Sequence, residues 1–281
     1  MPGLFHLPCQ LHDKCTFAAM WNLRLAWNYF LFRLTALKPE DVHSPYLFEL
    51  FQFIHDPGRH YYDFDRIEQV RAQLLTLEIT VPIQDFGAGS RFKTGRRVMD
   101  IARVALTPAQ RCRVVYRLLQ YQKPQKVLEL GTSLGIMSAY LTAGAQQAQV
   151  HTIEGNPALA EIAESISAQL CLSNIRFHRG LFTDILPSLP DEISPVDFVL
   201  IDGDHRGEAL KKYLAFLLPY LSSNAIVMID DIRWSKDMFA AWKEITQDAH
   251  VRCAIDYFSF GLLFFRKDFL ERVDLKVRLT G

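Results

Sequence analysis

The hydrophobic pattern of this chain changes character near Lys126. Before it, apolar residues recur mainly at helical spacing. Residues 20–37 read as a helix, and Tyr46 to Ile54 resumes the pattern after a break at His43-Ser-Pro-Tyr46, where Ser44 precedes a proline and is biased to extended backbone. Asp65 to Leu77 puts Ile67, Val70, Leu74 and Leu75 on one helical face, and Asp100 to Leu106 and Ala109 to Tyr121 read as two further helices. After Lys126, short apolar runs alternate with helical stretches. Val127–Leu130, Val150–Ile153, Ile175–His178, Phe198–Ile201 and Ala225–Ile229 read as strands, and Ile136–Ala145, Ala158–Leu170, Glu208–Leu221 and Lys236–Thr246 as the helices between them. Val251–Tyr257 and Leu262–Phe265 close the pattern as two more strands. Such alternation predicts an α/β fold with a parallel sheet covered on both faces. The last two strands are too closely connected to be parallel, because a parallel pair needs a crossover of about a dozen residues. The expectation is a mostly parallel seven-stranded sheet with an antiparallel C-terminal strand, preceded by a helical region. Residues 1–19 read as a poorly ordered leader, 20–110 as a helical cap and 111–281 as the ligand-binding domain.

Composition narrows the class. The chain has 281 residues, 49% hydrophobic and 22% charged, with zero formal net charge, so no overall electrostatic pull toward nucleic acid is indicated. Five cysteines (Cys9, Cys15, Cys112, Cys171, Cys253), scattered and odd in number, argue against a disulfide framework and fit a reducing cytoplasm. Cys171 and Cys253 sit in apolar runs and read as small buried hydrophobes. The apolar stretch Phe17–Leu37 carries Arg24 and Arg33 and fits an amphipathic helix better than a transmembrane span. His6, Cys9, His12 and Cys15 are metal-ligand types at even spacing, but structural zinc sites use two separated pairs. Asp85-Phe-Gly-Ala-Gly-Ser90 reads as a loop or a glycine-hinged lid, and Arg91, Lys93, Arg96 and Arg97 beside it as a solvated run or a contact for an anionic acceptor.

The chemistry-bearing motifs fall at the carboxyl ends of strands, where ligands bind in sheets of this kind. Glu129-Leu-Gly131-Thr132-Ser133-Leu-Gly135 leaves a strand and opens a helix. Its glycines allow close backbone approach to a ligand. Their spacing is not the Gly-x-Gly-x-x-Gly of a dinucleotide site. Glu129 would repel a pyrophosphate yet attract a cation, such as the amino group or sulfonium of S-adenosylmethionine. At the end of the next strand, Glu154-Gly155-Asn-Pro157 supplies an acid 19 residues past Gly135 that can grip both hydroxyls of a ribose. Gly180-Leu181-Phe182 follows the third strand, where a backbone amide and an apolar side chain can hold an adenine. Each residue also has a structural role open to it: the glutamates as solvated carboxylates, Phe182 as core.

Residues 125–266 resemble class I S-adenosylmethionine-dependent methyltransferases, and Glu-Leu-Gly-Thr-Ser at 129–133 and Asp-Asp-Ile-x-Trp-Ser at 230–235 are pieces shared with uncharacterised bacterial methyltransferases. The likeness is strongest to the catechol O-methyltransferase-like enzymes of small molecules. From His43 onward, His-Ser-Pro and Asp-Phe-Gly-Ala-Gly-Ser extend it to an uncharacterised bacterial methyltransferase family. The resemblance implies a Rossmann-like methyltransferase fold and S-adenosyl-L-methionine as cofactor, with no substrate specified.

Asp202-Gly-Asp204-His205 and Asp230-Asp231 end two further strands, and carboxylates brought together there need a cation or a proton between them. Oxygen ligands of this type suit Mg²⁺ or another divalent cation. In the metal-dependent enzymes that the chain resembles, the ligands are an aspartate and an Asp-Asn pair. Asp202, Asp230 and Asp231 hold those places, Asp231 departing from the asparagine. Their general-base lysine is replaced by His205, a residue type that can serve as a base. Asp230 and Asp231 can equally cap the next helix, and Trp234 and Trp242 can wall a flat acceptor or fill core. The expected activity is methyl transfer to a hydroxyl of a small molecule, with or without a metal. The alternatives are a binding protein that keeps the cofactor without turnover, and an NAD-dependent oxidoreductase, against which the glycine spacing speaks. The N-terminal helical part either covers the acceptor site or makes a homodimer contact.

Overall fold

A computed structural model describes residues 25–83 and 94–280. The predicted leader, the soft-ligand run at His6–Cys15 and the loop from Asp85 through Lys93 lie outside the described residues. The chain opens with helices α1 (25–35), α2 (Pro45–Ile54) and α3 (Tyr62–Leu74). A ribbon of β1 (Thr80–Ile83) and β2 (Thr94–Arg97) follows, then α4 (Val98–Ala105) and α5 (Ala109–Gln122). From there strands and helices alternate: β3 (Lys126–Leu130), α6 (Ile136–Gly144), β4 (Gln149–Glu154), α7 (Pro157–Gln169), β5 (Ile175–Arg179), the short α8 (Phe182–Ile185) and α9 (Pro190–Ile193), β6 (Val196–Ile201), α10 (Gly207–Leu217), β7 (Leu221–Ile229) and α11 (Lys236–Ile245). β8 (Cys253–Asp256), β9 (Gly261–Phe264) and β10 (Val273–Lys276) end the series.

The large sheet runs β10-β8-β9-β7-β6-β3-β4-β5. β9 pairs antiparallel with both β7 and β8, and every other pairing is parallel. The expected mostly parallel sheet with an antiparallel strand near its C-terminal end is present, with eight strands rather than seven. The additional strand, β10, alternates half-buried Val273 and Leu275 with exposed Asp274 and Lys276, as an edge strand with one covered face does. The ribbon β1–β2 was also unforeseen, and it takes Arg96 and Arg97 out of the basic run. Arg97 donates to Asp100 at 2.7 Å at the start of α4.

Period-two alternation explains the two cores. Successive side chains of a strand point to opposite faces. Val127, Phe198, Ile226, Met228 and Phe264 join α2, α3 and α5 on one face, while Leu128, Val199, Val227, Ile229 and Leu263 join α10 and α11 on the other. The N-terminal helices therefore share the sheet's own core: Leu47, Leu50, Phe51 and Ile54 of α2 are wholly buried. Buried Arg117 of α5 donates to the carbonyls of Ile54 and Arg59, at 3.2 and 2.9 Å. His55 meets the Thr280 carbonyl at 2.8 Å and the Tyr257 hydroxyl at 3.0 Å, which sews the start of the chain to its end.

α1 packs through a narrow face, Phe32 lying against Phe258 at 5.4 Å, and leaves Trp27, Phe30 and Leu34 exposed. No described helix is long and apolar enough to cross a membrane. Cys253 is buried as expected, but Cys171 is not: it lies just past the end of α7 at φ +57° and is exposed. An apolar neighbourhood in sequence did not reveal that the chain turns there.

Because Phe51 belongs to the same core as the sheet, Phe51→Ala is expected to cost about 3–5 kcal/mol in a single cooperative denaturant transition. A loss under about 1 kcal/mol would mean that α2 is a loosely attached cover.

Candidate active site

The loop after β3 is shaped by a close approach. Gly131 has φ +106°, and a Cβ there would lie 2.1 Å from the Asp202 carbonyl oxygen. The amides of Gly131 and Thr132 both point at the Ile153 carbonyl, at 3.1 and 3.3 Å. Gly135, at φ +79°, starts α6 with its Cα against Ala163 of α7. The ends of β3, β4 and β6 are thus brought together by glycines that leave no room for side chains.

Glu129 is completely buried beneath this loop. One carboxylate oxygen accepts from the Ser138 hydroxyl and, at 2.6 Å, from Thr152, whose oxygen also lies 2.5 Å from that of Thr132. The other oxygen has no partner among the described residues. Burial pushes the Glu129 carboxyl up to about 7, against the pull of the Ser138 and Thr152 hydroxyls. Glu154 is a staple between loops: its two oxygens accept from the backbone amides of Ser133 and Asn156, each at 2.8 Å. Each oxygen keeps a lone pair, so a hydroxyl-bearing ligand can still be accepted. Gly155 follows at the half-buried turn into α7. At the end of β5, the Gly180 amide donates to the Glu154 carbonyl at 2.9 Å. Leu181 is exposed, whereas Phe182 turns against Gly203 and sits edge-on to Tyr213 at 5.5 Å. An orphaned buried carboxylate oxygen, glycines at the loop and two capped acids fit S-adenosylmethionine, which brings its own amino and hydroxyl donors.

Beside this loop lies a cavity of about 350 Å³ lined by Thr107, Pro108, Arg111, Ser133, Asp202, His205, Asp230, Asp231 and Trp234, with Val104–Leu106 as its apolar wall. The Asp202 amide donates to the Leu130 carbonyl at 2.8 Å and the Asp230 amide to that of Ile201 at 3.0 Å, which fixes both acids where neighbouring strands end. Burial, then the charges of Asp230 and Asp231, hold the Asp202 carboxyl well above the usual carboxylate range. Burial also raises Asp230, to about 6, although the Arg111 guanidinium opposes the shift. Asp204 does not join the cluster; it accepts from Arg206 at 2.7 Å and from the Tyr213 hydroxyl at 3.0 Å. His205 lies 5.4 Å from Trp234, ring to ring. Trp234 belongs to this wall, while Trp242 is core under Gly261.

The residue that sequence reasoning missed is Arg111. It stands in the first turn of α5, is buried, and forms an ion pair with Asp230, 119 positions away. Nothing local in the sequence marks it. The same oxygen of Asp230 also accepts from the Asp231 amide at 2.8 Å. Among the described residues, the only group that brings three potential ligand atoms within 4.8 Å of one another is His151, His178 and Glu192, away from this cavity. As arranged, Asp202, Asp230 and Asp231 do not fit a divalent cation.

Residues 128–232 match a family model described as a methyltransferase domain. The O-methyltransferase hkm8 of Aspergillus hancockii is 29% identical over 157 residues, which are 53% of this chain and 60% of that protein's length. The structure is similar to an O-methyltransferase from Bacillus cereus in complex with S-adenosylhomocysteine, with a TM-score of 0.51, 21% identity and coverage of 76% of this chain and 94% of that one. It is also similar to the O-methyltransferase TomG from Streptomyces achromogenes in complex with S-adenosylmethionine, with a TM-score of 0.51, 18% identity and coverage of 73% and 100%. With the sheet order above, these similarities give the chain the fold of the solved methyltransferases, and residues 128–232 match a methyltransferase domain.

Gly131→Ala is expected to weaken S-adenosylhomocysteine binding by more than about tenfold in calorimetry, since the strained φ and the clash both displace the loop. A second prediction concerns pH. Glu129 holds its proton more tightly folded than unfolded, so between its ordinary 4.5 and about 7 the folded protein binds more protons. Its contribution to the stability of the ligand-free protein therefore falls as pH rises through that window. Glu129→Gln is expected to shrink the drop in melting temperature between about pH 5 and pH 8; an unchanged drop would assign it to other groups.

Proposed function

We propose that the protein transfers a methyl group from S-adenosylmethionine to a hydroxyl oxygen of a small molecule held in the cavity beside Trp234. The observation that carries this reading is the continuity of the site: Ser133 of the cofactor loop, Asp202 and His205 line one cavity. Bound S-adenosylmethionine supplies an electrophilic methyl group on a sulfonium sulfur. Glu129 and Glu154 are the groups that would hold it, over the loop Gly131–Ser133 and beside Gly180, with Leu181 and Phe182 nearest the base. Thr107, Pro108 and the exposed face of Trp234 would receive an apolar acceptor body. His205 would take the proton of the acceptor hydroxyl and so free an oxygen lone pair for the methyl group that bound S-adenosylmethionine would supply, the C–S bonding pair leaving with sulfur. Asp202, whose carboxyl burial and the charges of Asp230 and Asp231 hold well above the usual carboxylate range, faces the acceptor from the same cavity. Positioning and deprotonation are all that this reaction asks of the protein.

The curated relative and the solved structures described as O-methyltransferases support oxygen as the acceptor atom. The metal-assisted form of the reaction has less support, because Arg111 already holds Asp230.

The test is a panel of hydroxylated metabolites with radiolabelled S-adenosylmethionine. His205→Ala should lower turnover about 10²–10⁴-fold while leaving S-adenosylhomocysteine affinity within about threefold. Cofactor binding without transfer to any acceptor would instead support a protein that uses the cofactor as a ligand only.

A further inference from the structure

We propose that Arg111 takes the place of a divalent cation in this site, so that methyl transfer here proceeds on a built-in guanidinium charge and without a bound metal. The inference rests on the reading of the cavity as the acceptor site. Three observations carry it. Arg111 lines that cavity together with Asp202, His205, Asp230 and Asp231. Its guanidinium is paired with Asp230, and both residues are buried, at 8% and 4% exposure. The oxygen of Asp230 that receives Arg111 is also bonded to the Asp231 amide, and no three carboxylate oxygens of the cluster gather closely enough to share an ion.

The physical case is one of charge and geometry. A cluster of carboxylates at the end of a sheet requires compensation. A divalent ion would provide it through several oxygens at about 2.0–2.6 Å. A guanidinium provides it permanently, because it does not lose its proton in a protein. The two are mutually exclusive here, since the ion would have to displace a buried cation from Asp230 or sit beside it and be repelled. Arg111 is also held from behind by the Phe260 ring, 5.4 Å from its central carbon. A side chain fixed in this way acts as a resident charge facing the acceptor. Without an ion to chelate, two adjacent hydroxyls on the acceptor bring no advantage over one.

The experiment is a Mn²⁺ titration of the full chain saturated with S-adenosylhomocysteine, read by electron paramagnetic resonance. The wild-type protein is expected to bind no Mn²⁺ in this cavity up to about 1 mM, a range that takes in even weak oxygen-ligand sites, and any signal from the group of His151, His178 and Glu192 is expected to persist in Asp230→Asn. Arg111→Met is expected to gain a site about tenfold or more tighter, lost again on adding Asp230→Asn. Methyl transfer by the wild type should be unchanged by EDTA. Stoichiometric binding to the wild type that Asp230→Asn abolishes would overturn the proposal. So would the absence of any gain in Arg111→Met, because Arg111 would then replace nothing. Arg111→Lys, which keeps the charge, serves if the methionine variant does not fold, and is expected to bind no Mn²⁺ in this cavity; binding there would count against the proposal. Calorimetry with S-adenosylhomocysteine separates the two readings: loss of that affinity in the wild type sinks the functional assignment itself, while Mn²⁺ binding in this cavity with that affinity intact sinks only this inference.

Discussion

The Asp202 carbonyl lies where any side chain on Gly131 would have to be, and the placement of the site follows from that contact. It lets the ends of β3 and β6 meet backbone to backbone. The Asp202 amide bonds to the Leu130 carbonyl, and one strand farther out the Asp230 amide bonds to the Ile201 carbonyl. The glycine loop and the acid-bearing strand ends that line the cavity are thereby locked to one register. A one-residue slip in either strand would turn its acid toward the opposite face of the sheet.

Electrostatics is the second constraint. Glu129, Glu154, Asp202, Asp230 and Asp231 are gathered at one end of the sheet, and the protein treats each differently. Glu154 is capped by two amides and Glu129 by hydroxyls. Asp204 is drawn away to Arg206 and Tyr213, and Asp230 is neutralised by a guanidinium. Among the described residues Asp202 receives no such partner, and its carboxyl, like those of Glu129 and Asp230, is raised above its ordinary range. An acid kept in that state beside a histidine at the mouth of a cavity is a common arrangement at a reacting centre.

The architecture also explains why the N-terminal helices matter to a site built by the second half of the chain. α4 and the first turn of α5 contribute Val104 to Arg111, about half of the cavity lining. Those helices are held by apolar burial on one face of the sheet and by His55 and Arg117 at its margins. The cavity is thus built in part by a region outside the glycine loop.

Periodicity and glycine placement alone determined the alternating strands and helices, the antiparallel hairpin of β8 and β9, and the positions of Glu129, Glu154, Asp202, Asp230 and Asp231 at strand ends. These are local properties: period-two runs, a strand that stops at a glycine, a connection too short to cross over. The tertiary structure decided what those residues do. β10 was overlooked because four alternating residues carry little signal without a neighbour to pair with. Cys171 was misplaced because burial depends on where a turn points. Glu154 reads as a free ribose acid in sequence, yet in space its first partners are the amides of Ser133 and Asn156. Arg111 could not be assigned to the site at all, since an ion pair across 119 positions leaves no trace in spacing. Sequence neighbours set the backbone's path, while the charge on a buried carboxylate is set by whatever the fold brings beside it.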